Sequence, residues 1–266
     1  MYRVSILLVA LAVGIANGKV LPTSRVSFPT GDIINGEEAE PHSAPYIVSL
    51  RSSGSHFCAG SIIGPDLVLT AGHCLIYNKF DVAAGLHDRK NLTGAAVRHA
   101  TLKRSRTHSL FSGGVGPYDI GLIKIDPPFK FNSTVNKLKL PTQGKNHSGD
   151  ATLFGWGKVN EVSLPNNLQT VDTIIIEYKA CKKALPSGSP IHPTNICSNS
   201  NKNNRPGISA CNGDSGGPLV QYDKKGKAES VGIVSWGYVP CGQNNDPSVY
   251  THTSEHIDWI KKNSNF

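Results

Sequence analysis

Five short apolar runs decide what this chain can fold into. They are Tyr46-Ile47-Val48-Ser49-Leu50, Leu67-Val68-Leu69-Thr70, Ile120-Gly121-Leu122-Ile123-Lys124-Ile125, Thr173-Ile174-Ile175-Ile176 and Val231-Gly232-Ile233-Val234-Ser235-Trp236. Each is strand length, rich in β-branched residues and bounded by Gly, Pro, Asn or Asp, as a sandwich or barrel requires. Helical patterns do not alternate with them, which disfavours a parallel α/β sheet. The 27 glycines and 17 prolines follow no period, which excludes collagen-like and fibrous chains. One helix is expected, at the C-terminus. There Thr253 or Ser254 is placed to cap, and Ile257, Trp259 and Ile260 supply an apolar side ahead of Lys261 and Lys262. The expected fold class is all-β.

The N-terminus points to secretion. Arg3 precedes an apolar run from Val4 to Ala16, too short for a membrane span but suited to a signal-peptide core. Small residues at Ala16 and Gly18 place cleavage after Gly18. Lys19 to Asp32 reads as a polar pro-segment, so the expected organisation is 1–18 signal peptide, 19–32 pro-segment and 33–266 one domain. An oxidising destination makes the even set Cys58, Cys74, Cys181, Cys197, Cys211 and Cys241 a disulfide framework, with 15 connectivities open. Asn91, Asn132 and Asn146 head glycosylation sequons. The formal charge of +8 would suit an acidic partner, but the basic residues are scattered along the chain. Without the first 32 residues the balance is 24 basic against 18 acidic residues, a net +6.

Three segments carry chemistry when read together. Taken alone, His73 within Leu69-Thr70-Ala71-Gly72-His73-Cys74 is commonly structural, and Asp119 at the head of an apolar run is commonly a turn residue. The segment Cys211-Asn212-Gly213-Asp214-Ser215-Gly216-Gly217-Pro218 is more specific. Glycines around a serine let the chain bend tightly and let a substrate carbonyl approach. Such bends also present bare N–H groups for a developing oxyanion. A serine hydroxyl is a weak nucleophile until a base takes its proton, and neutral imidazole is the natural base near pH 7. The resulting imidazolium needs an orienting carboxylate.

From Ile33 to its end the sequence resembles a chymotrypsin/trypsin-family serine endopeptidase. The resemblance rests on Ile33-Ile34-Asn35-Gly36, Thr70–Cys74, Asp119-Ile120, Gly155-Trp156-Gly157, Gly213–Pro218 and Ser235-Trp236-Gly237. The order His, Asp, Ser fits this family and neither subtilisins nor α/β-hydrolases. The resemblance implies two six-stranded antiparallel β-barrels with the active site between them, plus a C-terminal α-helix. It implies Ser215 as nucleophile, His73 as base and then acid, and Asp119 as the orienter, the roles of the serine-protease triad. It places the oxyanion hole at the N–H groups of Gly213 and Ser215, and substrate-strand pairing at Ser235-Trp236-Gly237. It pairs Cys58 with Cys74, Cys181 with Cys197, and Cys211 with Cys241.

The resemblance also implies activation, in which a new amino group at Ile33 pairs with buried Asp214. Here the chain departs from the family, whose members usually carry Arg or Lys before the cut; this one has Asp32. The activating protease is therefore unidentified. The specificity pocket maps to Ser209 at its base with Gly237 and Ser248 on its walls. A neutral Ser209 argues against cleavage after Lys or Arg and for cleavage after large apolar or aromatic residues. Leu86 after Gly85 disfavours the calcium loop of some relatives, and no His spacing suits a metal, so no cofactor and no metal are expected. Expected partners are protein or peptide substrates, the activating protease and protease inhibitors, with no nucleic acid, no membrane and a monomeric state. The alternatives are a protease-fold binding protein, lectin-like or a cofactor, with secondary or no catalysis, and, more remotely, a cationic toxin or nucleic-acid binder.

Overall fold

The computed structural model describes residue 33 and residues 36–158, 163–199 and 207–266. The signal peptide and pro-segment lie outside the described residues. In chain order the elements are β1 (Glu37–Glu38), β2 (Ile47–Ser52), β3 (Ser55–Gly64), β4 (Leu67–Thr70), β5 (Lys79–Ala84), β6 (Ala96–Thr101), β7 (Ser105–Thr107) and β8 (Gly121–Lys124). There follow β9 (Gly149–Gly155), β10 (Gln169–Ile176), α1 (Tyr178–Ala184), β11 (Asn195–Asn199), β12 (Pro218–Tyr222), β13 (Ala228–Trp236), β14 (Ser248–His252) and α2 (Ile257–Lys262).

Two antiparallel sheets share these strands. The first has the order β6-β5-β2-β3-β4-β8-β7 and the second β1-β10-β11-β14-β13-β12-β9. Pairing of β10 with β9 closes the second sheet into a six-stranded barrel, with β1 added outside the ring. This bears out the expected all-β fold of two antiparallel barrels, the first of them present as a half-barrel. The first sheet has seven strands, and no described ladder closes it. Each sheet fills its concave side with its own core: Val48, Leu50, Val68, Leu122 and Ile123 in the first, Leu153, Ile196, Leu219, Val231 and Tyr250 in the second. A third cluster, with Tyr46, Ile47 and Leu86 from one side and Phe154, Trp156 and Leu168 from the other, forms the seam between them.

The C-terminal helix is present, but the expected cap is not. A 3-10 turn over Thr253–His256 leads into it, and no side chain caps α2. The Ser254 hydroxyl donates instead to the Lys145 carbonyl, and that of Thr253 pairs with Ser230. Tertiary partners have taken the groups that would have capped. Ile257 and Ile260 sit in the core of the first sheet, so the last element of the chain is anchored on the first.

Candidate active site

Register brings His73 and Asp119 together. Strand β4 pairs antiparallel with β8, and Thr70 stands opposite Gly121. The chain continues from Thr70 into a 3-10 turn holding His73, while Asp119 lies two residues before Gly121. The ends of the two paired strands therefore place these residues side by side. Cys74, in the same turn, is bonded to Cys58 on β3, which fixes the turn to the sheet.

Asp119 is wholly buried and fully used. The backbone N–H of His73 donates to its Oδ1 at 2.9 Å, His73 Nδ1 meets its Oδ2 at 2.7 Å, and Ser235 Oγ donates to Oδ2 at 2.6 Å. Thr251 Oγ1 donates to the Asp119 carbonyl at 2.7 Å. A carboxylate can only accept, so Nδ1 carries the proton and Nε2 is left as the basic nitrogen. The His73 side chain is 26% exposed against 1% for Asp119. The imidazole thus faces the cleft and the carboxylate faces the interior.

Ser215 stands on the second sheet's side, in the loop entering β12. Its carbonyl accepts from Ala59 on β3 at 2.8 Å, and Gly216 and Gly217 bond to Val234 on β13. No described hydrogen bond joins Ser215 Oγ to His73, a common condition before substrate binds. Gly213 has φ +105°, a conformation open to glycine. No described hydrogen bond uses the N–H of Gly213 or Ser215, the two groups expected to form the oxyanion hole.

His56 carries no signal in the sequence. Its Nε2 lies 2.9 Å from the Gly213 carbonyl and its Nδ1 2.8 Å from Ser49 Oγ. The carbonyl can only accept, so Nε2–H donates to it and Ser49 Oγ–H donates to Nδ1. Burial pushes the His56 imidazole down to about 4, so it stays neutral. It fixes the peptide that presents Gly213. Only the fold, by setting β3 against the nucleophile loop, reveals this role.

Asp214 is buried at the centre of the same loop. It accepts from Gly157 N at 2.7 Å and from Cys211 N at 2.9 Å. Burial raises its carboxyl to about 6, against the lowering effect of those two N–H groups. The glycines of Gly155-Trp156-Gly157 have a physical reason here. A Cβ on Gly155 would stand 1.9 Å from Asp214 Oδ1, and one on Gly157 2.3 Å from Oδ2. Ile33 is also wholly buried, in the core of the second sheet, but no described contact joins it to Asp214.

A cavity of about 200 Å³ opens beside Ser215, walled by Ala210, Cys211, Ser235, Trp236, Gly237 and Tyr238 among others. Its described lining carries no charged residue. Ser209 and Ser248 are buried and turn to each other at 3.1 Å. Ser209 Oγ donates to the Ala210 carbonyl and Ser248 Oγ accepts from Ala210 N; both stand behind Ala210, which lines the cavity. The disulfide Cys211–Cys241 ties the nucleophile loop to the cavity's far lip. The third bridge, Cys181–Cys197, joins α1 to β11. Cys58, Cys74 and His73 bring ligand-type atoms within 4.8 Å, but both sulfurs are covalently paired and unfit to bind a metal ion.

Comparison with known proteins agrees with this geometry. The Trypsin family model matches residues 33–260. Lectizyme of Glossina austeni is 48% identical over 248 residues, spanning 90% of this chain and 88% of its own. Trypsin of Sus scrofa is 35% identical over 240 residues, spanning 88% and 98%. Among solved structures, neuropsin, a serine protease expressed in the limbic system of mouse brain, superposes with a TM-score of 0.76 at 28% identity. It covers 88% of this chain and 100% of its own.

Proposed function

The chain belongs to the trypsin family of serine proteases, and from that premise we propose that it is a catalytically competent, secreted endopeptidase acting through an acyl-enzyme on Ser215. The observation that carries this reading is the His73–Asp119 pair, with the buried carboxylate holding Nδ1–H and leaving Nε2 as base. When a peptide carbonyl approaches, Nε2 takes the Ser215 hydroxyl proton as Oγ attacks carbon. Negative charge develops on the carbonyl oxygen near the N–H groups of Gly213 and Ser215, where fixed dipoles stabilise it. The imidazolium, stabilised by Asp119, then returns the proton to the leaving amine. Water repeats the cycle on the acyl-enzyme.

The specificity we propose is chymotrypsin-like. An uncharged cavity offers no counter-ion to Lys or Arg, and desolvating either there would be costly. A Cβ added at Gly237 would meet nothing within 4 Å, so the mouth stays open to large apolar and aromatic side chains. We propose activation by a cut after Asp32, made by an unidentified protease, with the new ammonium serving as partner to Asp214. A buried carboxylate raised to about 6 is a group that gains from such a partner. The exposed positions of Asn91, Asn132 and Asn146 support glycosylation of all three. The binding-protein alternative is not favoured, because the catalytic residues are all retained.

The test is a peptide-library cleavage profile on material that begins at Ile33. Cleavage after Phe, Tyr or Leu is expected, and it should vanish in Ser215→Ala. A preference for Lys or Arg would refute the specificity, and no Ser215-dependent cleavage would refute the activity.

A further inference from the structure

Asp119 is preceded by a residue in an unusual conformation. Tyr118 has φ +62°, the left-handed region that side-chain-bearing residues seldom occupy. Such strain persists only where the surroundings over-determine it. Here the surroundings are aromatic rings from three separate segments. His108 stacks on Tyr118 with centroids 4.9 Å apart and planes 17° from parallel. His192 lies 5.4 Å from the Tyr118 ring, and His256 6.0 Å away, edge-on. His256 and Trp259, from the C-terminal turn and α2, also pack against His108, at 5.6 and 5.2 Å.

His108 also grips the other side of Asp119. Its backbone N–H donates to the Ile120 carbonyl at 3.1 Å, and Ile120 N–H donates to the Tyr118 carbonyl at 2.8 Å. One residue therefore holds Asp119's two neighbours, one by ring stacking and one by its backbone. The His108 ring cannot swing freely, because its Nδ1 accepts from Leu110 N–H at 3.2 Å. Burial holds the His108 imidazole below its ordinary value and pushes His256 down to about 4, so these rings pack as neutral groups.

We propose that Tyr118 and His108 are positioning residues: their stack, backed by His256 and Trp259, holds the backbone turn that aims the Asp119 carboxylate at His73. The inference rests on the protease reading above. It makes the C-terminal segment a support for the catalytic apparatus, acting through the ring stack on Tyr118. Neither Tyr118 nor His108 contacts His73 in any described bond, so both act through Asp119.

The experiment compares kcat, KM and the His73 Nδ1–H proton resonance in Tyr118→Gly, His108→Ala, Tyr118→Phe and His108→Phe. Glycine accepts the positive φ without strain, so Tyr118→Gly keeps the fold while removing the stack. Expected is a fall in kcat of about 10–100-fold for Tyr118→Gly and His108→Ala, with KM within about twofold. The His73 Nδ1–H resonance should broaden or shift in both. Tyr118→Phe keeps the stacking ring and should keep kcat and the resonance, and His108→Phe, which keeps the ring but loses the Nδ1 acceptor, should recover most of what His108→Ala loses. Unchanged kcat and resonance in folded Tyr118→Gly would overturn the inference while leaving the protease reading intact. A wild-type chain beginning at Ile33 with no turnover would overturn both.

Discussion

At the residue scale, the candidate site is built from buried acids whose freedom has been removed. Asp119 accepts from three donors and has no solvent to turn toward. Asp214 is enclosed as tightly by glycine backbone. Gly157→Ala sets a methyl group 2.3 Å from a buried carboxylate oxygen, which has to move. The expected result is a loss of about 3 kcal/mol or more in stability and a collapse of turnover, since Asp214 adjoins both oxyanion donors. Thermal melts and kcat measured on the same preparation check it. Wild-type values for both would mean that Asp214 tolerates displacement.

At the element scale, strands supply the frame and their ends carry the residues of the candidate site. His73 follows β4, Asp119 precedes β8, Ser215 precedes β12 and Ser235 is the next-to-last residue of β13. The Cys58–Cys74 bridge holds the first of these ends to β3 across 16 residues. Cys58→Ala with Cys74→Ala should cost about 3 kcal/mol and lower kcat more than it raises KM. Loss of stability with kcat retained would show the turn to be held by the register of β4 and β8 alone. Those two strands are legible in sequence because Leu67–Thr70 is an unbroken aliphatic and β-branched run and Leu122-Ile123 lies in the largely apolar run from Ile120 to Ile125. Strand β3 is not, because Gly60, Gly64 and polar serines interrupt it, and its Ser53-Gly54 turn is its one signal. Helix α1 is hidden because three lysines surround its one buried side chain, Cys181. His73, Asp119 and Ser215 are legible as a set because the glycine-rich segment around Ser215 is specific and the order His, Asp, Ser with the flanking motifs resembles a known family. His56 and the ring stack on Tyr118 are not, because their partners lie far away in sequence.

At the scale of the whole molecule, the buried titratable groups make stability depend on pH. His56, His252 and His256 are held by burial at about 4, 3 and 4, below the ordinary 6.5. Each is neutral in the fold and charged in the unfolded chain between those values. Their contribution is present above about 6.5 and is lost as pH falls toward 4. Glu229, which burial alone would raise, is held at about 2 by Lys139 and Lys145 and adds a further loss below pH 4.5. Asp214 has the opposite sign. Raised to about 6, it loses about 3 kcal/mol of favourable protonation as pH rises from 4 through 6 in an uncut chain. Three histidines outweigh one carboxyl, so Tm should climb between pH 4 and 6.5. Asp214→Asn should steepen that climb, and a flat or falling profile would contradict these assignments. On the proposed function, one serine in this framework, Ser215, is chemically activated. A fluorophosphonate probe applied to the chain beginning at Ile33, with Ser215→Ala as control, should label the first stoichiometrically at Ser215 and leave the second unlabelled. A folded chain beginning at Ile33 that takes no label would contradict it.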